Sequence, residues 1–129
     1  SDVVRGGTGF YDVHFADGSF VLVGIDGRIV VTTDGSTNES DVLGGDKLRG
    51  VTWGDGRWVA VGYNRTSWSD DLETWTDDTD QPVFWDVAWS GDVFAAVGEF
   101  GDVHLSPDGA SWTQAIPGDG YPLYAVAGR

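Results

Sequence analysis

FWDVAWSGDVFAAVGEFGDVHLSPDGASW, from Phe84 to Trp112, is the stretch of this sequence that decides the fold. Apolar residues alternate with polar or small ones in short runs, and each run ends at a turn that contains Gly or Asp. This period of two predicts short β-strands joined by reverse turns. The expected strands lie around Val87, at Val93–Gly98, at Val103–Leu105 and at Trp112–Ile116.

The same pattern occurs three times along the chain. FYDVHFADGSFVLVGIDGRIVVTTDGSTN and LRGVTWGDGRWVAVGYNRTSWSDDLETW align with the stretch above with a one-residue gap. Val13, Val51 and Val87 mark equivalent positions 38 and 36 residues apart, so the period is about 37 residues. Four short antiparallel strands with this repeat length are the signature of a β-propeller blade, whereas the strands of a sandwich do not repeat in sequence. The sequence therefore predicts an all-β fold of three four-stranded blades, at about 10–47, 48–83 and 84–122.

The residues outside the three units are predicted to belong to incomplete units. SDVVRGGTGF at the start resembles SDVLGGDKL at the end of the first unit, so 1–9 is predicted to be an outer strand. LYAVAGR, at 123–129, resembles the start of a unit and is predicted to be an inner strand. Because closed propellers have about four to eight blades, we expect 1–129 to be a single partial propeller domain. Either the chain is a fragment of a longer propeller or oligomerisation completes it, with two chains forming a six-bladed ring, and we favour oligomerisation.

The charge of the chain restricts its partners. There are 21 Asp and Glu residues against 7 Lys and Arg residues, and the formal net charge is −14. Such a chain repels phosphate backbones and anionic lipids, so we predict neither a nucleic-acid partner nor a membrane partner. The absence of cysteine excludes a thiolate metal site, and two histidines argue against an imidazole-rich one. We predict no metal and no cofactor.

A heptapeptide recurs near the end of each unit. It reads SPDGASW at 106–112, SDDLETW at 69–75 and, in a weaker form, TTDGSTN at 32–38. Its Asp can accept hydrogen bonds from N–H groups of its own turn, its Gly can take positive φ, and its Trp can pack the corner against the sheet. A calcium site is the rival interpretation, but the ligand order of an EF-hand is absent. We predict structural roles for Asp34, Asp71, Trp75, Asp108, Gly109 and Trp112.

The pattern of Ser106, Asp108, Gly109 and Trp112 resembles the Asp-box, also called the bacterial neuraminidase repeat. This motif lies between the third and fourth strands of blades in sialidase-like and photosystem-assembly-like propellers. The resemblance covers essentially the whole chain through its three units. It departs from the family pattern at Leu72, which replaces the glycine, and at Asn38, which replaces the tryptophan. The resemblance implies a propeller and slightly favours an extracellular or secreted protein.

One face of a propeller generally binds the ligand, through the loops that join the fourth strand to the first and the second to the third. Mapped by the repeat, this face carries mainly arginine and aromatic side chains: Arg28, Arg49, Tyr63, Arg65, Trp85, Phe100, Tyr121 and Tyr124. Aromatic rings with polar edges bind sugars and peptides. We predict a non-catalytic binding or scaffold module that binds itself and a glycan or peptide ligand, with a lectin-like propeller as the alternative. The competing interpretation of the first-strand aromatics is packing between blades.

A glycosidase is a further alternative that the sialidase-like resemblance implies. Such an enzyme would use an arginine cluster, a tyrosine nucleophile with a glutamate partner, and an acid. The FRIP motif that typically precedes the Asp-boxes of that family is missing. Retaining chemistry needs two carboxyl groups about 5 Å apart, and the sequence nominates no such pair. We predict that the chain is not an enzyme.

Overall fold

The computed structural model describes residues 10–32, 37–42, 47–72 and 74–116, with backbone alone at 37–42. The described residues form three four-stranded antiparallel sheets, each with its strands in sequence order, and one 3-10 turn at Ile25–Gly27. This architecture confirms the predicted all-β fold of three blades. The incomplete units predicted at 1–9 and 123–129 lie outside the described residues. No helix in the described part of the chain has the length and apolar character to cross a bilayer.

Each sheet corresponds to one sequence unit and is called a blade below. Blade 1 contains β1 (Phe10–Ala16), β2 (Ser19–Gly24), β3 (Arg28–Thr32) and β4 (Thr37–Val42). Blade 2 contains β5 (Leu48–Gly54), β6 (Arg57–Gly62), β7 (Arg65–Ser69) and β8 (Thr76–Asp78). Blade 3 contains β9 (Phe84–Trp89), β10 (Phe94–Gly98), β11 (Val103–Ser106) and β12 (Thr113–Ile116).

Two-residue Asp-Gly turns close the first hairpin of blades 1 and 2. Asp17 and Gly18 have φ of 51° and 79°, and Asp55 and Gly56 have φ of 52° and 79°. Positive φ at both central residues is the type I′ geometry, which matches the right-handed twist of the flanking strands. The Asp-Gly pairs therefore fix the register of β1 with β2 and of β5 with β6.

The hydrophobic core lies between neighbouring blades. Val21, Val23 and Ile29 of blade 1 pack with Trp58 and Ala60 of blade 2, whereas the alternate residues of β6 pack against blade 3. A strand with period two buries both of its faces in this way because successive side chains point to opposite sides of the sheet. Full burial of one such side chain contributes about 1.5–3 kcal/mol, so each blade depends on its neighbours for stability.

The first strands of the three blades, β1, β5 and β9, lie side by side. The N–H of Val51 donates to Oδ2 of Asp12, 3.0 Å away across the junction of blades 1 and 2. Gly50 of β5 occupies the position in the repeat that Asp12 occupies in β1. A Cβ on Gly50 would lie 2.8 Å from Oδ1 of Asp86 and 3.3 Å from the backbone N of Val87. Glycine thus allows β9 to approach β5 closely, and the starts of the three strands are brought together at one end of the blades.

The heptapeptides of blades 2 and 3 form two corners, called corner 2 (69–75) and corner 3 (106–112). In corner 3, Oδ1 of Asp108 accepts hydrogen bonds from the N–H groups of Ala110 and Ser111, at 2.9 and 3.0 Å. Nε1 of Trp112 donates to the carbonyl oxygen of Gly109 at 3.2 Å. In corner 2, Oδ1 of Asp71 accepts from the N–H of Thr74 at 2.9 Å, and Trp75 is 8% exposed in the core. Asp34, the counterpart in blade 1, lies outside the described residues.

Candidate functional site

A cation lies between two aromatic rings where β1, β5 and β9 begin. Cζ of Arg49 lies 4.5 Å from the ring centroid of Trp85 and 4.9 Å from that of Tyr11. The three residues occupy the same place in the repeat, two residues before Val13, Val51 and Val87 respectively. The adjacency of the three first strands therefore stacks them across two blade junctions.

A second cation extends this arrangement. Nζ of Lys47 lies 4.9 Å from the ring centroid of Tyr63 and 5.5 Å from that of Tyr11. The rings of Tyr63 and Trp85 meet edge to face, with centroids 5.6 Å apart. We call Tyr11, Lys47, Arg49, Tyr63 and Trp85 the aromatic–cation cluster.

The backbone beneath the cluster fixes the position of Lys47. The N–H of Tyr63 donates to the carbonyl oxygen of Lys47 at 3.1 Å. A Cβ on Gly62 would lie 2.1 Å from that same oxygen, so only glycine lets the turn after β6 approach the start of β5. The cluster is therefore built on strand ends and a tight backbone contact, which limits how far its members can move.

The arrangement suits recognition of a carboxylate. Nε of Arg49 is buried and has no hydrogen-bond partner among the described residues. A guanidinium that stacks on aromatic faces keeps its planar N–H fork oriented, and that fork matches the two oxygens of a carboxylate. Each cation–aromatic contact is worth about 0.5–1 kcal/mol at an exposed site and about 2 kcal/mol when desolvated. The rings thus hold Arg49 in position before a ligand arrives.

The structure brings together only part of the predicted ligand-binding set. Arg49, Tyr63 and Trp85 meet in the cluster, while Tyr11 and Lys47 were not among the predicted residues. Tyr11 could have been found from the repeat, because it is the first-unit counterpart of Arg49 and Trp85. Lys47 lies between β4 and β5, in a loop that the repeat places on the ligand-binding face, but its contact with Tyr63 could not be predicted because it depends on the backbone approach at Gly62.

The other predicted ligand-binding residues lie elsewhere or outside the described residues. Arg28 begins β3 and is half-buried, and Phe100 is 59% exposed in the turn between β10 and β11. Tyr121 and Tyr124 lie outside the residues that the structure describes.

Arg65 lies inside blade 2 rather than on its ligand-facing edge. It is 2% exposed, and its Nη2 lies 2.6 Å from Oδ2 of Asp77 on the neighbouring strand β8. The hydroxyl of Ser67 donates to Oδ1 of the same carboxylate at 2.7 Å. A buried charge needs a partner of opposite sign, and this pair supplies it. We therefore omit Arg65 from the ligand-binding set that is proposed below.

Further polar side chains serve the blades themselves. Nε2 of His104 lies 2.7 Å from Oδ2 of Asp102, and each residue is 8% exposed in blade 3. Although burial raises the pKa of the Asp102 carboxyl, hydrogen bonds from His104 and from the N–H groups of Asp102 and Phe100 bring it below its usual value. The described residues contain no group of three or more His, Cys, Asp or Glu side chains that could hold a metal ion.

Comparison with known proteins identifies the fold and leaves the family open. No protein-family model and no curated protein matches this sequence. A solved structure described as YCF48 bound to D1 peptide has a TM-score of 0.69 and 16% identity, over 83% of this chain and 39% of its own. The structure of YCF48 from Cyanidioschyzon merolae has a TM-score of 0.65 and 18% identity, over 86% of this chain and 38% of its own. Both are β-propellers, and this chain spans less than two-fifths of each, so its fold is that of a partial propeller.

Proposed function

We propose that this protein is a non-catalytic β-propeller module that binds a peptide segment at the aromatic–cation cluster. The observation that carries the proposal is the guanidinium of Arg49, which is held between the rings of Trp85 and Tyr11. The similarity to YCF48 bound to D1 peptide supports a peptide as the class of ligand.

The charge of the cluster favours a peptide that carries carboxylates. Lys47 and Arg49 stand together on a chain whose formal net charge is −14. Most of the charge on the chain repels an acidic peptide, so two adjacent cations attract its carboxylates and orient the ligand on arrival. The rings of Tyr11 and Tyr63 supply apolar area beside the two charges. The proposed ligand is therefore an acidic segment with apolar side chains.

Fluorescence anisotropy with labelled dodecapeptides of acidic, neutral and basic composition tests the proposal. We expect saturable binding of the acidic peptide, and Arg49→Gln should weaken it at least about tenfold through loss of a charge-assisted contact. Arg57→Gln is the matched control, because it also removes one positive charge. Arg57 begins β6, whereas the cluster lies beside Gly62 at the other end of that strand. Equal weakening by both variants, or no binding of the acidic peptide, would contradict the proposal.

We also propose that a second copy of the chain completes the ring, so that the module acts as a self-assembled scaffold. Phe20 is 44% exposed, whereas its repeat counterparts Trp58 and Phe94 are 2% and 1% exposed because a neighbouring blade covers them. A blade from a second copy would cover Phe20 in the same way. Light scattering after size-exclusion chromatography should give a dimer that Phe20→Glu dissociates, while a monodisperse wild-type monomer would contradict self-assembly.

The two corners support assignment of the blades to the Asp-box type. In both corners the Ser hydroxyl accepts two N–H groups, and Oδ1 of the Asp accepts at least one more. The contacts of the Asp are those that the motif predicts within its own turn, and the Ser contacts reinforce the same turn. The proposal predicts that Asp71→Ala and Asp108→Ala lower thermal stability without changing peptide affinity.

A further inference from the structure

A groove of about 450 Å³ runs along the first strands of the three blades, separate from the side chains of the aromatic–cation cluster. Its polar and aromatic lining consists of Asp12, His14, Thr52, Trp53, Asp86 and Trp89. Small-molecule sites usually have volumes of about 300–1,000 Å³. The groove is therefore of a size to hold a small ligand.

The hydrogen-bonding groups of the groove are mostly acceptors. Asp12 and Asp86 bring two carboxylates, and Oδ2 of Asp12 accepts the N–H of Val51 at 3.0 Å. Each carboxylate has about four lone-pair sites, so it can accept from a ligand in addition to a protein group. Thr52 has a hydroxyl that can donate and accept. Burial lowers the pKa of His14 against the opposing effect of Asp12, so the ring is neutral at pH 7 and offers one donor and one acceptor. This set suits a ligand that is rich in hydroxyl groups.

Two indole rings complete the lining. Trp53 and Trp89 occupy equivalent positions of β5 and β9, two residues after Val51 and Val87. The ring of Trp89 is held against Gly54, where a Cβ would lie 2.2 Å from Cδ2. Rings fixed in this way provide rigid apolar surface next to the carboxylates.

The lining contains no lysine or arginine among the described residues, although Arg49 lies only three positions before Thr52. An anionic ligand would face two carboxylates here and has no cation to pair with. A neutral polyhydroxylated ligand can donate to the carboxylates and lay its C–H faces on the indoles. Hydrogen bonds to a charged acceptor are stronger than those between neutral groups.

We propose that the groove of β1, β5 and β9 is a binding site for a neutral saccharide of one or two sugar units. In this site Asp12 and Asp86 accept hydrogen bonds from sugar hydroxyls, and Trp53 and Trp89 contact the apolar face of a ring. The site is distinct from the peptide-binding face, and its test does not depend on that function.

Isothermal titration with a panel of glucose, galactose, mannose, N-acetylglucosamine and their common disaccharides tests the site. At least one saccharide should bind saturably, and Asp86→Asn should weaken it about tenfold or more, because the charged acceptor is lost while the shape is kept. Trp53→Phe should weaken the same saccharide by reducing the stacking surface. Asp92→Asn, which makes the same charge change in an exposed turn, should have no effect.

Arg49→Gln separates this site from the aromatic–cation cluster, since it should leave saccharide binding unchanged. Thermal unfolding of each variant identifies any loss of binding that comes from loss of the fold. The proposal is overturned if no saccharide binds at concentrations up to about 20 mM. It is equally overturned if benzylamine binds in place of saccharides, or if folded Asp86→Asn binds the saccharide as the wild type does.

Discussion

Corner 2 and corner 3 share one hydrogen-bonding scheme and differ at the residue that follows the Asp. Leu72 has φ of 64° and Gly109 has φ of 80°, so both lie in the left-handed region. A Cβ on Gly109 would lie 2.4 Å from Cγ2 of Val59 in blade 2, whereas the side chain of Leu72 packs against the core between blades 1 and 2. The same backbone therefore excludes a side chain where a neighbouring blade fills the space and accepts one where the side chain adds to a core.

The comparison also separates two costs that glycine usually avoids together. A left-handed conformation costs an L-residue about 1–2 kcal/mol, and Leu72 bears that cost. Burial of part of its side chain offsets it, since apolar contact contributes about 25 cal/mol per Å². A residue with a side chain at position 109 would bear both the conformational cost and the steric clash with Val59. This explains why the motif keeps its glycine in blade 3.

The largest effect is expected for Gly109→Ala. The new Cβ must displace Val59, which is fully buried, and the residue must also keep positive φ. We expect a loss of about 2–4 kcal/mol in the free energy of unfolding, measured by urea denaturation. In the Gly109→Ala, Val59→Ala double variant the losses should be less than additive, because Val59→Ala makes room for the Cβ. Strict additivity would show that the clash does not limit corner 3.

The next largest effect is expected at Leu72, where substitution by glycine should be less destabilising than substitution by alanine. Leu72→Ala removes the packing but keeps the strained φ, whereas Leu72→Gly removes both the packing and the strain. We therefore expect Leu72→Ala to be less stable than Leu72→Gly by about 0.5–1 kcal/mol. Thermal unfolding of the two variants checks the order, and a more stable Leu72→Ala would contradict the account of corner 2.

Acid should weaken corner 3 through Asp108. Hydrogen bonds from the N–H groups of Ser111 and Ala110 hold the pKa of the Asp108 carboxyl below its ordinary value of 3.8. Because the folded-state pKa is depressed, this contribution to stability is present above pH 3.8 and is lost as the pH falls through the lower folded-state pKa. Stability measured between pH 6 and pH 3 should fall less steeply in Asp108→Asn than in the wild type. Parallel curves would show that Asp108 does not act through its charge.

The smallest effect is expected for Arg57, which links the two corners. Its Nε lies 2.7 Å from Oδ1 of Asp70 in corner 2, and its Nη1 donates to the carbonyl oxygen of Asp108 in corner 3 at 2.8 Å. Arg57→Lys keeps the charge but cannot reach both corners at once. Since exposed ion pairs contribute about 0–1 kcal/mol, we expect a loss within that range that shrinks at high salt. A loss of several kcal/mol would mean that the corners depend on this link.

Local patterns in the sequence were enough to predict the blades. Alternating apolar residues and Asp-Gly turns specify strands and hairpins through the backbone itself, and the strands of blade 3 lie within a few residues of their predicted positions. Arg49 and Trp85 occupy equivalent positions in the repeat, so they lie next to each other when the first strands of their blades are neighbours. Such features depend only on residues that are close in sequence or equivalent in the repeat.

The parts of the candidate site that could not be predicted depend on contacts between strands. The register of β7 with β8 places Ser67 opposite Asp77. This register brings the carboxylate of Asp77 to the buried guanidinium of Arg65, with which it forms an ion pair. Lys47 reaches Tyr63 because Gly62 admits the carbonyl oxygen of Lys47. Neither the register of a short outer strand nor a close backbone approach can be deduced from the order of residue types.

The peptide affinity of Arg49→Lys tests most directly whether a stacked guanidinium forms the binding site. Lysine keeps the positive charge but has no planar group to lie between Trp85 and Tyr11. In the anisotropy titration with the acidic dodecapeptide, the account predicts that Arg49→Lys binds about as weakly as Arg49→Gln. Wild-type affinity in Arg49→Lys would contradict it, because charge alone would then explain the binding.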